Sequence, residues 1–175
     1  DLKKKFPDAQ IETVRKAGYG NLFEVSGAGE IFYTDEKVTF LLLGALVDTK
    51  TRENVTEARV RKLSAVQFNA LPLESAIKIV RGNGSRKVAV FEDPNCGYCK
   101  RFEKDLAEVK DVTMYVFLYP ILSPDSTQKS TNVWCAADRQ KAWLDLMLKD
   151  AAIPAAKCDT PIKKLLTFSH KKRIT

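Results

Sequence analysis

Residues 91–100 read Phe91-Glu92-Asp93-Pro94-Asn95-Cys96-Gly97-Tyr98-Cys99-Lys100, setting two thiols two residues apart between an apolar run and a charged, helix-like segment. Upstream, Lys87-Val88-Ala89-Val90-Phe91 reads as a strand. Downstream, Phe102, Leu106 and Val109 recur at i, i+4 and i+7, the spacing of one helix face. Asp93-Pro94-Asn95 offers a turn and a side-chain oxygen able to cap that helix. Cys96 and Cys99 therefore fall in the first turn of a helix that follows a strand. Unpaired backbone N–H groups and the positive end of the helix dipole stabilise negative charge on the first sulfur of such a pair. Cys96 is accordingly the candidate nucleophile. Cys99, facing it across part of a turn and better shielded, is the candidate to attack a mixed disulfide and release the substrate. An inert disulfide at this place would close only a very short loop and contribute little stability.

The chain has four cysteines and one histidine. A zinc site needs two further ligands near a second close-spaced pair, whereas Cys135 and Cys158 are far apart in sequence and His170 lies in a basic tail, where it reads as a surface residue. Closing the loop between Cys135 and Cys158 would stabilise the fold by roughly 3 kcal/mol on the chain-entropy account. A permanent bridge beside an exchangeable pair implies an oxidising compartment. Two unrelated buried thiols in a cytosolic protein are the alternative that spacing alone leaves open.

The rest of the chain organises around this centre. Leu2 to Lys16 carries a loose helical pattern interrupted by Pro7, a short or broken helix at best. Between Tyr19 and Val47, apolar runs at Leu22–Val25, Ile31–Tyr33 and Val38–Leu43, punctuated by Ser26-Gly27-Ala28-Gly29 and Asp35-Glu36-Lys37, predict short antiparallel strands. A unit of that size is marginal alone, and a second copy of itself is the simplest partner. Asn54 to Ala70, charged and free of glycine and proline, reads as a solvated helix linking two domains. Ala76–Val80 and Lys87–Phe91 flank Gly82-Asn83-Gly84-Ser85, the composition of a hairpin; as a phosphate loop the stretch lacks the Gly-Lys-Ser/Thr ending. Val112 to Tyr119 returns to strand. Ser126 to Lys149 reads as mostly helical, with Trp134, Ala137, Leu144 and Leu148 available to pack, and Pro154 and Pro161 break the remainder of the chain.

A net charge of +7 is spread along the chain and interleaved with acids, without an aromatic-basic module, so nucleic-acid binding is not indicated. The longest apolar stretches are too short to span a membrane. No charged-then-apolar leader opens the chain, as in a cytosolic protein or an exported one already processed.

Three stretches, "FEDPNCGYCKRFEKDL", "LSPDSTQKSTNVWCAADRQKAW" and "CDTPI", resemble the bacterial periplasmic thiol:disulfide interchange proteins of the DsbC/DsbG group. "LPLESAIKIVRGNGSRKVAVF" and the N-terminal strands extend the likeness over nearly the whole chain, and Cys-Gly-Tyr-Cys fits the DsbC branch best. The resemblance implies an α+β N-terminal dimerisation domain over residues 1–55, a linker helix over 56–74, and an α/β thioredoxin-fold catalytic domain with a helical insertion over 75–175. It implies Cys96 as the attacking and Cys99 as the resolving thiol, Gly97 and Tyr98 as the positions that tune the pair, and Cys135 with Cys158 as a structural bridge. It also implies isomerase work on misfolded exported proteins by a periplasmic homodimer reduced by a membrane reductase of the DsbD type, with no metal or organic cofactor. A DsbG-like reductase or oxidase of a narrow client set and a chaperone-like binding module are the competing readings. The Thr-cis-Pro strand, the strand after it and the closing helix expected of this fold do not occur before Thr175. The natural protein is therefore expected to continue, and the faces of Val88, Val90, Val116 and Leu118 to be partly uncovered without that continuation.

Overall fold

The computed structural model describes residues 2–174, which divide into two compact units between Val66 and Gln67. In the first unit a single turn of helix, α1 (Leu2–Lys5), precedes four strands: β1 (Thr13–Lys16), β2 (Phe23–Gly27), β3 (Glu30–Thr34) and β4 (Leu42–Leu43), followed by α2 (Val55–Ser64). The strands form one antiparallel sheet in sequence order. The helix expected between Leu2 and Lys16 is confined to α1. Its second half is a strand because Thr13 to Lys16 pair with Ser26 to Phe23, a partner that local periodicity does not reveal. The strand expected over Val38–Leu43 shrinks to Leu42–Leu43, since Val38 adopts φ 53°, outside the extended region. At Gly27 a Cβ would collide with the Gln10 carbonyl, so the close approach of that segment to β2 requires glycine.

Val25 and Tyr33 are fully buried in this unit, and so is one charge, Glu24. Arg15 donates to Glu24 through Nε at 2.7 Å and Arg59 of α2 through Nε at 2.9 Å. Burial pushes this carboxyl up, but the hydrogen bonds from Arg15 and then Arg59 outweigh it and hold the group below its usual range. α2 starts on an Asn54 cap, whose side chain accepts from Glu57 N. No residue of α2 is fully buried, in keeping with the solvated face expected, and the helix stops at Ser64.

The second unit opens with short turns of 3-10 helix at Phe68–Ala70 and Leu73–Ser75. It then builds β5 (Ile77–Arg81), β6 (Arg86–Glu92), α3 (Gly97–Ala107), β7 (Val112–Leu118), α4 (Pro124–Cys135), α5 (Arg139–Lys149) and α6 (Ile162–Lys172). Its sheet has the order β5-β7-β6, with β7 antiparallel to β5 and parallel to β6. The expected β5–β6 hairpin is therefore absent. The turn at Gly82–Ser85 carries the chain over the end of β7, which slots between the two strands. Gly82 has φ 58°, and a Cβ there would meet Asp111, whose Oδ1 accepts from Asn83 N at 2.9 Å. Placing β7 in the middle buries more apolar surface than a hairpin would, because β7 is apolar on both faces.

On one face Val112, Met114, Val116 and Leu118 meet Leu106 of α3, Val133 and Trp134 of α4, and Ala142, Trp143, Leu146 and Met147 of α5. On the other, Phe117 stacks on Phe91 at 4.5 Å between ring centres, and Phe91 lies parallel to Phe168 of α6 at 6.4 Å. The expectation that Val116 and Leu118 would be partly uncovered is wrong for the described residues: both are fully buried in the central strand, while Val88 and Val90 of the edge strand β6 are half-buried. The helical stretch expected over Ser126–Lys149 is two helices, broken at Ala136–Asp138. Ala137 falls in that break and is exposed, Leu144 and Leu148 are half-buried, and the core positions of α5 lie one residue earlier. His170 sits exposed on α6.

Candidate active site

β6 ends at Glu92, the chain turns through Asp93-Pro94-Asn95, and α3 begins at Gly97 with Cys96 as its N-cap. The cap is the sulfur itself: Cys99 N–H donates to Cys96 Sγ at 3.1 Å. The capping oxygen expected from Asp93-Pro94-Asn95 is not used there, because both polar side chains face α4 instead. Asp93 Oδ1 accepts from Asn95 N at 2.8 Å and Ser126 Oγ at 2.7 Å, and Oδ2 accepts from Ile121 N at 2.8 Å and Leu122 N at 2.9 Å. Four donors satisfy a carboxylate that is almost wholly buried. Asn95 donates to Ser123 Oγ, Asp125 Oδ2 and Ser126 Oγ, and accepts from Lys129 Nζ at 2.7 Å. The loop before Cys96 is thereby tied to the first turn of α4, which starts on a Ser123 cap with Pro124 next. Sequence reasoning missed this tie. The available signal was Ser123-Pro124-Asp125-Ser126, a helix start whose polar groups exceed what its own cap needs.

Cys96 and Cys99 are both partly exposed free thiols. Cys96 has a backbone donor aimed at its sulfur, where a thiolate would carry its charge. Burial, and then the hydrogen bond with Cys96, push the Cys99 thiol up to about 12, so it keeps its proton at neutral pH. Tyr98 between them is 86% exposed. A Cβ at Gly97 would meet no atom within 4 Å, so this glycine leaves the approach to the sulfurs open rather than making room for a neighbour. A shallow cleft of about 300 Å³ beside the pair is lined by Val90, Phe91, Glu92, Tyr98, Cys99 and Phe102. Phe102, expected on the packing face of α3, is instead substantially exposed at this rim; Leu106 alone of the three apolar positions is buried.

Cys135 and Cys158 are joined by a disulfide with Cα atoms 5.7 Å apart, tying the end of α4 to the extended segment before α6. Among the described residues no cluster of three or more His, Cys, Asp or Glu is arranged to hold a metal ion, and no helix is long and apolar enough to cross a membrane.

The thioredoxin-like domain family matches residues 73–175, and the N-terminal domain of disulfide bond isomerase proteins matches residues 1–57. The chain belongs to the DsbC/DsbG group of thioredoxin-like proteins. The probable thiol:disulfide interchange protein DsbC of Bordetella avium is 50% identical over 171 residues, 97% of this chain and 61% of that protein. The thiol:disulfide interchange protein DsbC of Escherichia coli K12 is 27% identical over 144 residues, 79% of this chain and 58% of that protein. Among solved structures, a disulfide interchange protein from Neisseria gonorrhoeae superposes with a TM-score of 0.58 at 42% identity, covering 60% of this chain and 77% of that one. The chain thus spans roughly 60% of the length of the curated DsbC relatives it matches. The first unit is the α+β N-terminal domain of this group. The second is its thioredoxin-like α/β domain, with α4 and α5 inserted after β7.

Proposed function

We propose that this chain carries out thiol:disulfide interchange, with Cys96 as the attacking thiol, Cys99 as the resolving thiol and Cys135–Cys158 as a structural bridge that takes no part in turnover. The observation that carries the proposal is the asymmetry of the pair: Cys96 caps α3 and accepts a backbone N–H, while Cys99 is held as a thiol by burial. Cys96 Sγ attacks a substrate disulfide, forms a mixed disulfide and expels one substrate sulfur as a thiolate. That thiolate can attack another substrate disulfide, and the thiolate released there can attack the substrate sulfur bonded to Cys96 and expel Cys96, which is isomerisation, or Cys99 can close on Cys96 and release the substrate reduced. Isomerisation is the finer reading, and it accords with the DsbC names of the relatives.

Misfolded exported proteins are then the substrates, the periplasm is the compartment, and a membrane reductase of the DsbD type keeps the pair reduced. Gly97 and Tyr98 tune the pair by leaving it open to large substrates. The first unit makes the working form a homodimer, and the boundaries near residues 55 and 75 separate dimerisation domain, linker and catalytic domain.

Refolding of a scrambled disulfide protein tests the assignment. Cys96→Ser should abolish recovery, and Cys99→Ser should accumulate mixed disulfides visible by mass under non-reducing conditions. Normal isomerisation by both variants would sink the assignment.

A further inference from the structure

Asp93 collects more donors than a turn residue needs. It stands three residues before Cys96 in the loop between β6 and α3, and it is 4% exposed. Burying a carboxylate is costly unless donors replace its water. Asp93 has four, Asn95 N and Ser126 Oγ on Oδ1, and Ile121 N and Leu122 N on Oδ2. Three of these come from the segment that leads from β7 into α4, 28 to 33 residues away in sequence. Ile121 and Leu122 belong to no helix or strand, and their side chains are 55% and 59% exposed. Apolar packing therefore does not hold them; the carboxylate does.

The main chain of Asp93 faces the dithiol. Its carbonyl accepts the Cys96 N–H at 3.0 Å. Burial, and then the hydrogen bond with Cys96, push the Cys99 thiol up, and the backbone of Asp93 is the group that pulls against them. A main-chain group that favours a thiolate does so through its N–H, and a hydrogen bond to an ionised sulfur is stronger than one to a neutral thiol. No sulfur is among the partners of the Asp93 carboxylate, so its influence on the pair passes through its own main chain. Cys96 differs, since its sulfur takes a donor from Cys99 N–H within the first turn of α3.

We infer that Asp93 is a positioning residue for the resolving step: anchored by the segment that leads into α4, it holds its main chain against the dithiol and so sets how often Cys99 releases a substrate rather than leaving it to reshuffle. The inference rests on the interchange reading. In that step the substrate is joined to Cys96 by a mixed disulfide. Cys99, partly exposed, gives its proton to water and becomes a thiolate. Its electron pair forms the Cys99–Cys96 bond, the Cys96–substrate bond breaks, and the substrate sulfur leaves with the pair of that bond as a thiolate. The Asp93 N–H stabilises the charge that Cys99 carries into this attack. With Asp93 held, release competes with reshuffling; with it loose, the mixed disulfide lives longer and isomerisation is favoured over reduction.

Two measurements on the full chain test this. The first is amide hydrogen exchange of the reduced protein. Ile121 and Leu122 N–H should exchange more slowly than in an unstructured peptide by at least about tenfold, and lose that protection in Asp93→Ala. Exchange at unstructured rates in the unchanged protein overturns the inference, and this arm needs no variant to fold.

The second uses 5,5′-dithiobis(2-nitrobenzoate) as the disulfide, whose two nitrothiobenzoate ions are released in sequence, first by Cys96 and then by Cys99. Asp93→Ala should slow the second release by about tenfold, the scale of one hydrogen bond to a charged group, and slow the first far less. Asp93→Asn should restore part of the rate, because its amide oxygen still accepts from Ile121 N and Leu122 N. Ser126→Ala, which removes one donor from Oδ1, should slow the second release less than Asp93→Ala does. Equal slowing of both releases, the mark of general loosening, overturns the inference. So do second-phase rates within about twofold of the unchanged protein in every variant that folds. If Cys96→Ser is inert in this assay while the Asp93 variants behave normally, the positioning role fails and the interchange reading stands. If Cys96→Ser still releases both ions at the normal rate, the interchange reading itself fails.

Discussion

A single carboxyl shows how far burial can move a residue from its behaviour in water. Glu92 meets Glu103 rather than a cation, and its ionised form is disfavoured first by desolvation and then by that neighbour. The raised value makes stability depend on pH in one direction. Below the unfolded value, about 4.3, both folded and unfolded chains hold the proton and the group costs nothing by titrating. Between there and about 9 the unfolded chain ionises while the folded one keeps its proton, so stability falls as pH rises through that window. Glutamine cannot ionise. Glu92→Gln should therefore gain on the unchanged protein in urea midpoint from about pH 5 to about pH 8.5. A gap that stays constant across that range would show that Glu92 titrates as an ordinary surface carboxyl. Trp143→Phe, which removes the donor to Glu103 Oε1, should cost about 1–3 kcal/mol in the same measurement.

At the scale of elements, the dithiol is held from two sides. β6 and α3 supply the sulfurs, and the start of α4 grips the loop between them through Asp93 and Asn95. Asp93→Ala would leave the backbone N–H groups of Ile121 and Leu122 without their acceptor and loosen that grip. The other end of α4 is fastened by the Cys135–Cys158 disulfide, which closes a loop of 23 residues around α5. Cys135→Ser with Cys158→Ser should lower unfolding free energy by about 3 kcal/mol under oxidising conditions and leave reaction of Cys96 with a small disulfide intact. Recovery of Cys96 linked to Cys135 in a non-reduced digest would overturn the division between working and structural bridges.

For the whole molecule the open question is what the first unit meets. Its sheet is small, and Phe40, Leu41, Leu42, Leu43 and Val47 are exposed in and beside its last strand, Leu43 by 77%. An apolar run of this kind marks an interaction surface. The proposed homodimer places this run against its copy, where two marginal units share one buried surface. Leu43→Glu should shift the protein from dimer to monomer in sedimentation velocity while sparing reaction of Cys96 with a small disulfide. An unchanged sedimentation coefficient would move the interface elsewhere.

What could be read along the chain was local. The apolar alternation and turn residues around β2 and β3, the i, i+4, i+7 pattern of α3 and the apolar run of β7 are properties of neighbouring residues, and so is a pair of thiols two residues apart at a helix start. Pairing partners are not local. β1 looked helical because what makes it a strand is β2, and β5 with β6 looked like a hairpin because nothing in either marks the arrival of β7 between them. The same holds for the site. Asp93 is satisfied by Ile121, Leu122 and Ser126, and Glu92, Glu103 and Trp143 come together from three elements. A sequence carries the chemistry of each such side chain, but the free energy of a buried polar group depends on which partners the completed fold brings to it, and only the tertiary structure decides that.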